Sequence, residues 1–261
     1  VEMNLQPVAG FFLIVMPILL ITALIWKLGK RLDFYESILL SAGSVLLSLL
    51  LYLKVYSVIA GQSAFDAVWD AFRQTLAGGA VNTDEILSTY HSLGVLENFT
   101  TAQQLADFLV GQMKLWVPAS LLISSVVHGM FLFFVIRFII KRTGREVAPI
   151  LAFEEWALPR GMGFGLIILL LLSLFGSRLR IPNFEVVQFT VTALISFLFM
   201  ILGLSVLWFF LKAGRVPSVL RWLLMIILYL FVGFGLPFLG MLDHMFRFRR
   251  RYRNKYILGK K

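Results

Sequence analysis

The sequence predicts an all-α membrane protein, a polytopic bundle of about six transmembrane helices with a helical extramembrane insert. Three observations lead there. Of 261 residues, 59% are hydrophobic and only 15% are charged, whereas a soluble domain is nearer half apolar and a quarter charged. The excess is gathered into blocks such as FFLIVMPILLITALIW (11–26) and LIILLLLSLF (166–175), and about 20 apolar residues are what a helix needs to cross hydrocarbon. Lipid offers the backbone no hydrogen-bond partner, so each block satisfies its own amides as a helix.

Taken in order, the first span is predicted over 8–26, closed by Lys27, Lys30 and Arg31. The second covers 34–60. Ser37, Ser41, Ser44 and Ser48 recur along it at helical spacing, and small residues at that period let helix backbones approach closely. These two spans form a first segment, 1–60. An extramembrane insert, 61–114, is set apart by its acids: Asp66, Asp70, Asp84, Glu85, Glu97 and Asp107 stand against Arg73 and Lys114. Within it FDAVWDAF (65–72) is patterned as an amphipathic helix. Thr83 and the Thr100-Thr101 pair followed by Gln103-Gln104 read as helix starts, the latter like a capping box, and Gly78-Gly79 as a break. The insert reads as a cap on the bundle or a lid over a site.

Four further membrane segments are predicted in 115–243: spans at 115–140, 161–176, 184–211 and 219–242. The last is interrupted by Gly233, Gly235, Pro237 and Gly240, which predicts a kink or break near Gly233. A basic tail, 244–261, completes the chain.

The net charge of +10 resides mostly in short loops and the tail beside apolar runs, where anionic headgroups account for it better than nucleic acid does. Arg247, Arg249, Arg250, Arg251 and Arg253, interleaved with Phe246, Phe248 and Tyr252, are predicted to contact anionic lipid. There is no cysteine, which excludes disulfides and thiolate metal sites. No metal-ligand spacing and no cofactor fingerprint is present, and Gly161, Gly163 and Gly165 match neither a phosphate loop nor a dinucleotide motif. No metal or cofactor is expected.

Polar residues inside hydrocarbon need a reason. Ser120, Ser124 and His128 recur every four residues, with Ser125 alongside, and are predicted to face the bundle; Gln188, Thr192 and Ser196 do the same in a later span. Ser120, Ser124, His128, Gln188 and Thr192 are the ligand-binding candidates, with interhelical hydrogen bonding as their plainer role. In FEEWALPRGMGFG (153–165), Glu154 and Glu155 point about 100° apart on a helix and form no facing acid–base pair. Trp156 suits the membrane interface, and Pro159 the first turn of a helix. Glu154, Glu155, Trp156, Pro159 and Arg160 therefore read as an interfacial entry into the fourth span.

Two motifs carry a family resemblance. The KRTGRE loop followed by Phe153–x–x–Trp156–x–Leu158-Pro159-Arg160, and the closing Gly240–x–x–Asp243 with Phe246 and Arg247, resemble the YybS family of polytopic bacterial membrane proteins over roughly residues 25 to 250. The resemblance implies a bacterial cytoplasmic (inner) membrane location and no assigned reaction. Family members usually carry further hydrophobic segments at the N-terminus, so the resemblance also implies that a start is missing before Val1. At fold level the chain is similar to the substrate-binding components of energy-coupling-factor vitamin transporters, which names no ligand.

The expected function is non-enzymatic: binding of a small molecule, a partner membrane protein, or both, with transport as an extension. Two alternatives stand beside it. One is a membrane enzyme on a lipid-linked substrate, using Glu154, Glu155, Arg160, His128 or Asp243; the other is a scaffold subunit of a larger complex. The basic loops and tail are expected on the cytoplasmic side and the acidic insert outside. Six full crossings would put the tail outside, so a hairpin at Gly233–Pro237 is expected to turn it back.

Overall fold

A computed structural model describes residues 6–28, 32–77, 83–92, 101–145, 147, 149–176 and 184–254. Among them every regular element is helical. Lys30, Arg31, the Gly78-Gly79 break and Lys255, Lys260 and Lys261 lie outside the described residues. The chain forms two compact units: Val1–Leu32 with Glu36–Val147, and Asp33–Tyr35 with Ala148–Lys261.

In the first unit, α1 (Gln6–Gly10) passes through a π-helical turn (Phe11–Val15) into α2 (Met16–Leu28), giving one apolar helix of 23 residues. After α3 (Phe34–Ala60) come two short helices of the insert, α4 (Ala64–Ala77) and α5 (Thr83–Ser92). The next helix, α6 (Ala102–Arg142), begins 13 residues before the span predicted from hydropathy, so the end of the acidic insert is its first turns. Thr101 sets that start, its hydroxyl accepting a hydrogen bond from the Gln104 amide at 3.2 Å. Pro118 lies within α6; a membrane helix tolerates it because neighbours re-satisfy the freed carbonyl. Trp69 of α4 is buried, as are Leu105, Ala106 and Val110 on the early turns of α6, and Arg73 reaches both Asp70 and Asp107.

Close approach of α3 and α6 explains the serines. A Cβ on Gly129 would stand 2.6 Å from the Ala42 backbone. Ser41 lies at this approach; Ser41, Ser44 and Ser48 are all buried and donate to carbonyls four residues back, so they stay small without leaving a hydroxyl unpaired. Arg145, past the end of α6, lies over the Trp26 ring at 3.3 Å and donates to its carbonyl.

In the second unit, a 3₁₀ turn (Phe153–Glu155) leads to α7 (Arg160–Gly176), then α8 (Phe184–Ala213), α9 (Ser218–Val232), a 3₁₀ turn (Gly233–Gly235), α10 (Leu236–Phe246) and α11 (Phe248–Tyr252). The core is built on Ile195, Phe199 and Leu202 of α8, with Trp156, Leu158, Leu166, Ile167, Leu170 and Met241 packed on it. A Cβ on Gly203 would meet the Leu236 carbonyl, and one on Gly240 would meet the Phe199 carbonyl and the Gly203 amide. Two glycines therefore let α8 and α10 touch backbone to backbone.

Five helical stretches among the described residues are long and apolar enough to cross a membrane: Gln6–Leu28, Phe34–Ala60, Gln103–Arg142, Phe184–Ala213 and Ser218–Phe246. The fourth predicted span is shorter. At 17 residues α7 is about 26 Å long, against a hydrocarbon core of about 30 Å.

The predicted break is a 3₁₀ turn entered through Val232, at φ −125° and ψ 14°. Here α9 begins beside the C-terminal part of α8, with Trp222 5.0 Å from Trp208. Contacts of α10 with α8 fall at Phe199–Gly203, the middle of that helix. Arg247 then turns the chain in a left-handed conformation, φ 55° and ψ 48°. Beyond it Tyr252 sets its ring edge-on to Phe209 and Phe210. Ser218–Phe246 thus starts beside the C-terminal part of α8, and its sequel comes back there.

Candidate functional site

Asp243 is buried on α10, a helix whose other residues are apolar apart from His244. A carboxylate there needs a cation, and Arg249 supplies it. Its Nε lies 2.8 Å from Asp243 Oδ2 and its backbone amide 3.1 Å from Oδ1. The same guanidinium reaches three further acceptors. Nη1 donates to the Glu154 carbonyl and to Ser205 Oγ, both at 2.8 Å, and Nη2 donates to the Trp156 carbonyl at 3.0 Å. Ser205, fully buried on α8, donates in turn to the Phe153 carbonyl at 2.6 Å. One arginine thus joins α8, α10 and the 153–156 turn, and satisfies carbonyls that the turn leaves without helical partners.

The turn itself is fixed by aromatics. Trp156 lies against Phe34 and Phe153, each at 5.2 Å, and its Nε1 donates to the Leu151 carbonyl. The Ala157 amide donates to the Tyr35 hydroxyl at 2.9 Å. Glu154 pairs with Lys212 at the end of α8. Burial pushes the Glu154 carboxyl up, but the hydrogen bond and charge of Lys212, its own amide and the charge of Arg221 outweigh that and hold it below the ordinary carboxylate range. Glu155 faces Arg253 at 3.6 Å, both half-exposed.

A half-open cavity of about 520 Å³ lies above this knot. Ala157, Leu158, Leu202 and Gly240 give it apolar walls; Arg247, Arg250 and Arg253, with the neutral Asn254, give it a cationic rim. Among the described residues, neither Arg247 nor Arg250 has an acidic partner. His244 also lines it, with its Nε2 buried and without a hydrogen-bond partner. The ring rests against Gly163, where a Cβ would strike it, and lies 5.5 Å from the Phe164 ring.

The structure sorts the predicted site residues differently from the sequence. Ser120, Ser124 and His128 belong to the first unit and are exposed; the buried serine is Ser125, bonded to the Leu121 carbonyl. The face of α6 that meets α3 is set by Gly129, and His128 stands about 100° from it. Gln188 and Thr192 are half-buried early in α8 and do not line the cavity. Glu154 and Glu155 do line it. Pro159 is the cap before α7, its carbonyl accepting from the Gly163 amide, and the Arg160 side chain lies outside the described residues. Of the three glycines, Gly163 alone receives a neighbour; Gly161 and Gly165 face open space.

Within the tail, Arg247, Arg250 and Arg253 face the cavity. Arg249 departs from the lipid-contact expectation: it is 8% exposed and bound to Asp243. Ser205 was missed as a site residue, and Arg249 was assigned to lipid. The available signal was Asp243 itself, an acid in an apolar helix six residues before an arginine.

The sequence matches the family described as "Predicted membrane protein (DUF2232)" over residues 3–244, and the chain belongs to it. No curated protein and no solved structure matches the chain.

Proposed function

We propose that this member of the DUF2232 family acts by binding, taking a small molecule into the cavity of its second unit. The observation that carries this reading is a mismatch of partners around that cavity. Each lining carboxylate faces a cation of the protein: Glu154 has Lys212, Asp243 has Arg249 and Glu155 has Arg253. Arg247 and Arg250 are left over among the lining of a space that also has apolar walls. A pocket with apolar walls and a few unpaired polar groups is the form that ligand sites take. An enzyme that used Glu154 or Asp243 as its acid or base would need that carboxylate free to exchange a proton. The engagement of Glu154 and Asp243 with cations favours binding over that reading.

The proposal places the protein in a bacterial cytoplasmic membrane, its basic loops toward the cytoplasm. The YybS-like motifs and the cations beside the apolar helices support that placement. Transport is an extension of the same reading, and a partner protein seated on the rim is its alternative occupant.

Native mass spectrometry of the full chain purified in detergent tests it. The wild type should retain a non-protein mass, and Ala157→Trp, which sets a large side chain in the cavity wall, should lose it. A wild type that carries no such mass, or a mass that Ala157→Trp keeps, overturns the reading.

A further inference from the structure

We infer that the ligand of this cavity is a phosphate ester carried on an apolar tail, with the phosphate held by Arg247 and Arg250. The inference rests on the binding reading above and names its ligand class.

Three features select that chemistry. First, Arg247, Arg250 and Arg253 follow one another at intervals of three, and all three line the cavity. A guanidinium fork offers parallel N–H donors that fit two oxygens of an anion. One fork satisfies a carboxylate. Two forks with no acid of their own suit a tetrahedral group, which presents more oxygens and, as a monoester, more than one negative charge. Second, Arg247 holds a left-handed backbone, φ 55° and ψ 48°, which glycine adopts at far lower cost. The arginine at that turn puts a cation where the stability of the turn alone would favour glycine. Third, apolar residues share the lining with the arginines: Leu158, Leu202 and Gly240. His244, also lining it, meets Phe164 edge to face, Phe164 is itself 47% exposed, and Met245 and Phe246 beside His244 are exposed too. On a membrane helix such side chains face acyl chains, so the apolar wall leads toward lipid and the cationic rim toward the headgroup zone.

A free phosphate ester would share the arginine contacts and leave the apolar wall unused. The amphiphile uses both, and the source is therefore placed in the bilayer.

The test uses the full chain in phosphatidylcholine nanodiscs, with bound molecules read by native mass spectrometry. One arm is doped with phosphatidic acid and one with a long-chain fatty acid. A third receives soluble glycerol 3-phosphate and no dopant. The variant is Arg247→Gly with Arg250→Ala; glycine keeps the left-handed turn while removing the charge. Arg251→Ala, an exposed tail cation away from the cavity, is the control, and thermal unfolding checks that each variant is folded. Phosphatidic acid should be retained by the wild type and by Arg251→Ala. The double variant should lose it by about 100-fold, the equivalent of two charge-assisted contacts.

Arginine-dependent retention of glycerol 3-phosphate but not of phosphatidic acid would keep the phosphate and overturn the lipid source. Equal retention of the fatty acid, or retention that the double variant does not change, would overturn the phosphate class. A different co-purified mass, lost from Ala157→Trp, would do the same and leave the binding reading intact. No bound mass in any arm would overturn both.

Discussion

Arg249 holds Asp243 by two hydrogen bonds, Nε to Oδ2 at 2.8 Å and backbone amide to Oδ1 at 3.1 Å. Asp243 is 6% exposed and Arg249 8%. Removing one partner leaves an uncompensated buried charge, so Arg249→Ala and Asp243→Ala should each cost about 3–5 kcal/mol. The arginine also serves the carbonyls of Glu154 and Trp156 and the Ser205 hydroxyl. An apolar pair, Asp243→Leu with Arg249→Met, removes both charges and still strands those acceptors, at about 1–3 kcal/mol each. Thermal unfolding in detergent should therefore show the pair well below wild type. Full recovery would show that the ion pair, and not the tying of the turn, is what Arg249 contributes.

The crossing of α8 and α10 makes a second prediction. An added methyl at Gly203 or Gly240 meets backbone atoms, which cannot swing aside as a side chain would. Gly203→Ala and Gly240→Ala should each destabilise by about 1–3 kcal/mol, the usual cost of overpacking. Gly161→Ala and Gly165→Ala, which face open space, should be neutral or slightly stabilising, since alanine is the better helix former. Equal effects at all four positions would remove the close crossing as the reason for the glycines.

Glu154 gives a pH dependence. Its folded pKa is lowered, because Lys212, its own amide and Arg221 outweigh its burial. A lowered pKa contributes stability above the unfolded value, about 4.3, and that stability is lost as pH falls through the folded value. Lys212 is 57% exposed, so the pair is partly screened and is worth about 1 kcal/mol or less. Glu154→Gln should unfold earlier than wild type at pH 7, and the gap should close as the pH falls below about 4. A gap that widens on acidification would contradict the sign.

Much of the fold was legible because each signal was local. Apolar blocks marked the helices, Thr101 marked the start of α6, and the spaced serines of α3 marked a close contact. The limits of α6 were not legible: hydropathy marks where lipid would begin, and the helix runs on into the insert. The direction of the Ser120–Ser124–His128 stripe, which is exposed, was not legible, because spacing shows that residues share a face and not which way that face turns. Gly129, which sets the direction, acts through Ala42, 87 positions earlier by number in the chain. The candidate site was the least legible part. Glu154, Ser205, Asp243 and Arg249 come from four separate elements, and pairwise contacts between them leave no periodic trace. Asp243 alone announced that a cation had to be near.

The path of the last apolar segment leads to a prediction about topology. Arg221, on the first turn of α9, lies over Trp208 at 4.8 Å, and Trp222 lies beside the same ring. Tyr252 packs on Phe209 and Phe210, one and two residues further along α8. The α8–α9 turn and the arginine tail therefore lie near the same end of α8, although Ser218–Phe246 has the length and composition of a full span. The contacts of α10 with the middle of α8, at Phe199 and Gly203, agree with a segment that enters and returns. Backbone off the α-helical ladder, as at Val232–Gly235, is tolerated at membrane depth where it is buried in protein or lines a cavity. The tail should then share a side with the α8–α9 turn, which for basic segments is the cytoplasm. The chain has no cysteine, so single cysteines report without background. Placed at Ser88, Thr143, Ser218 and Asn254 and treated in intact cells with a membrane-impermeant thiol reagent, only the one at position 88 should be labelled. Labelling at 254 together with 88, and not at 218, would mean that the segment crosses fully and that the tail is external.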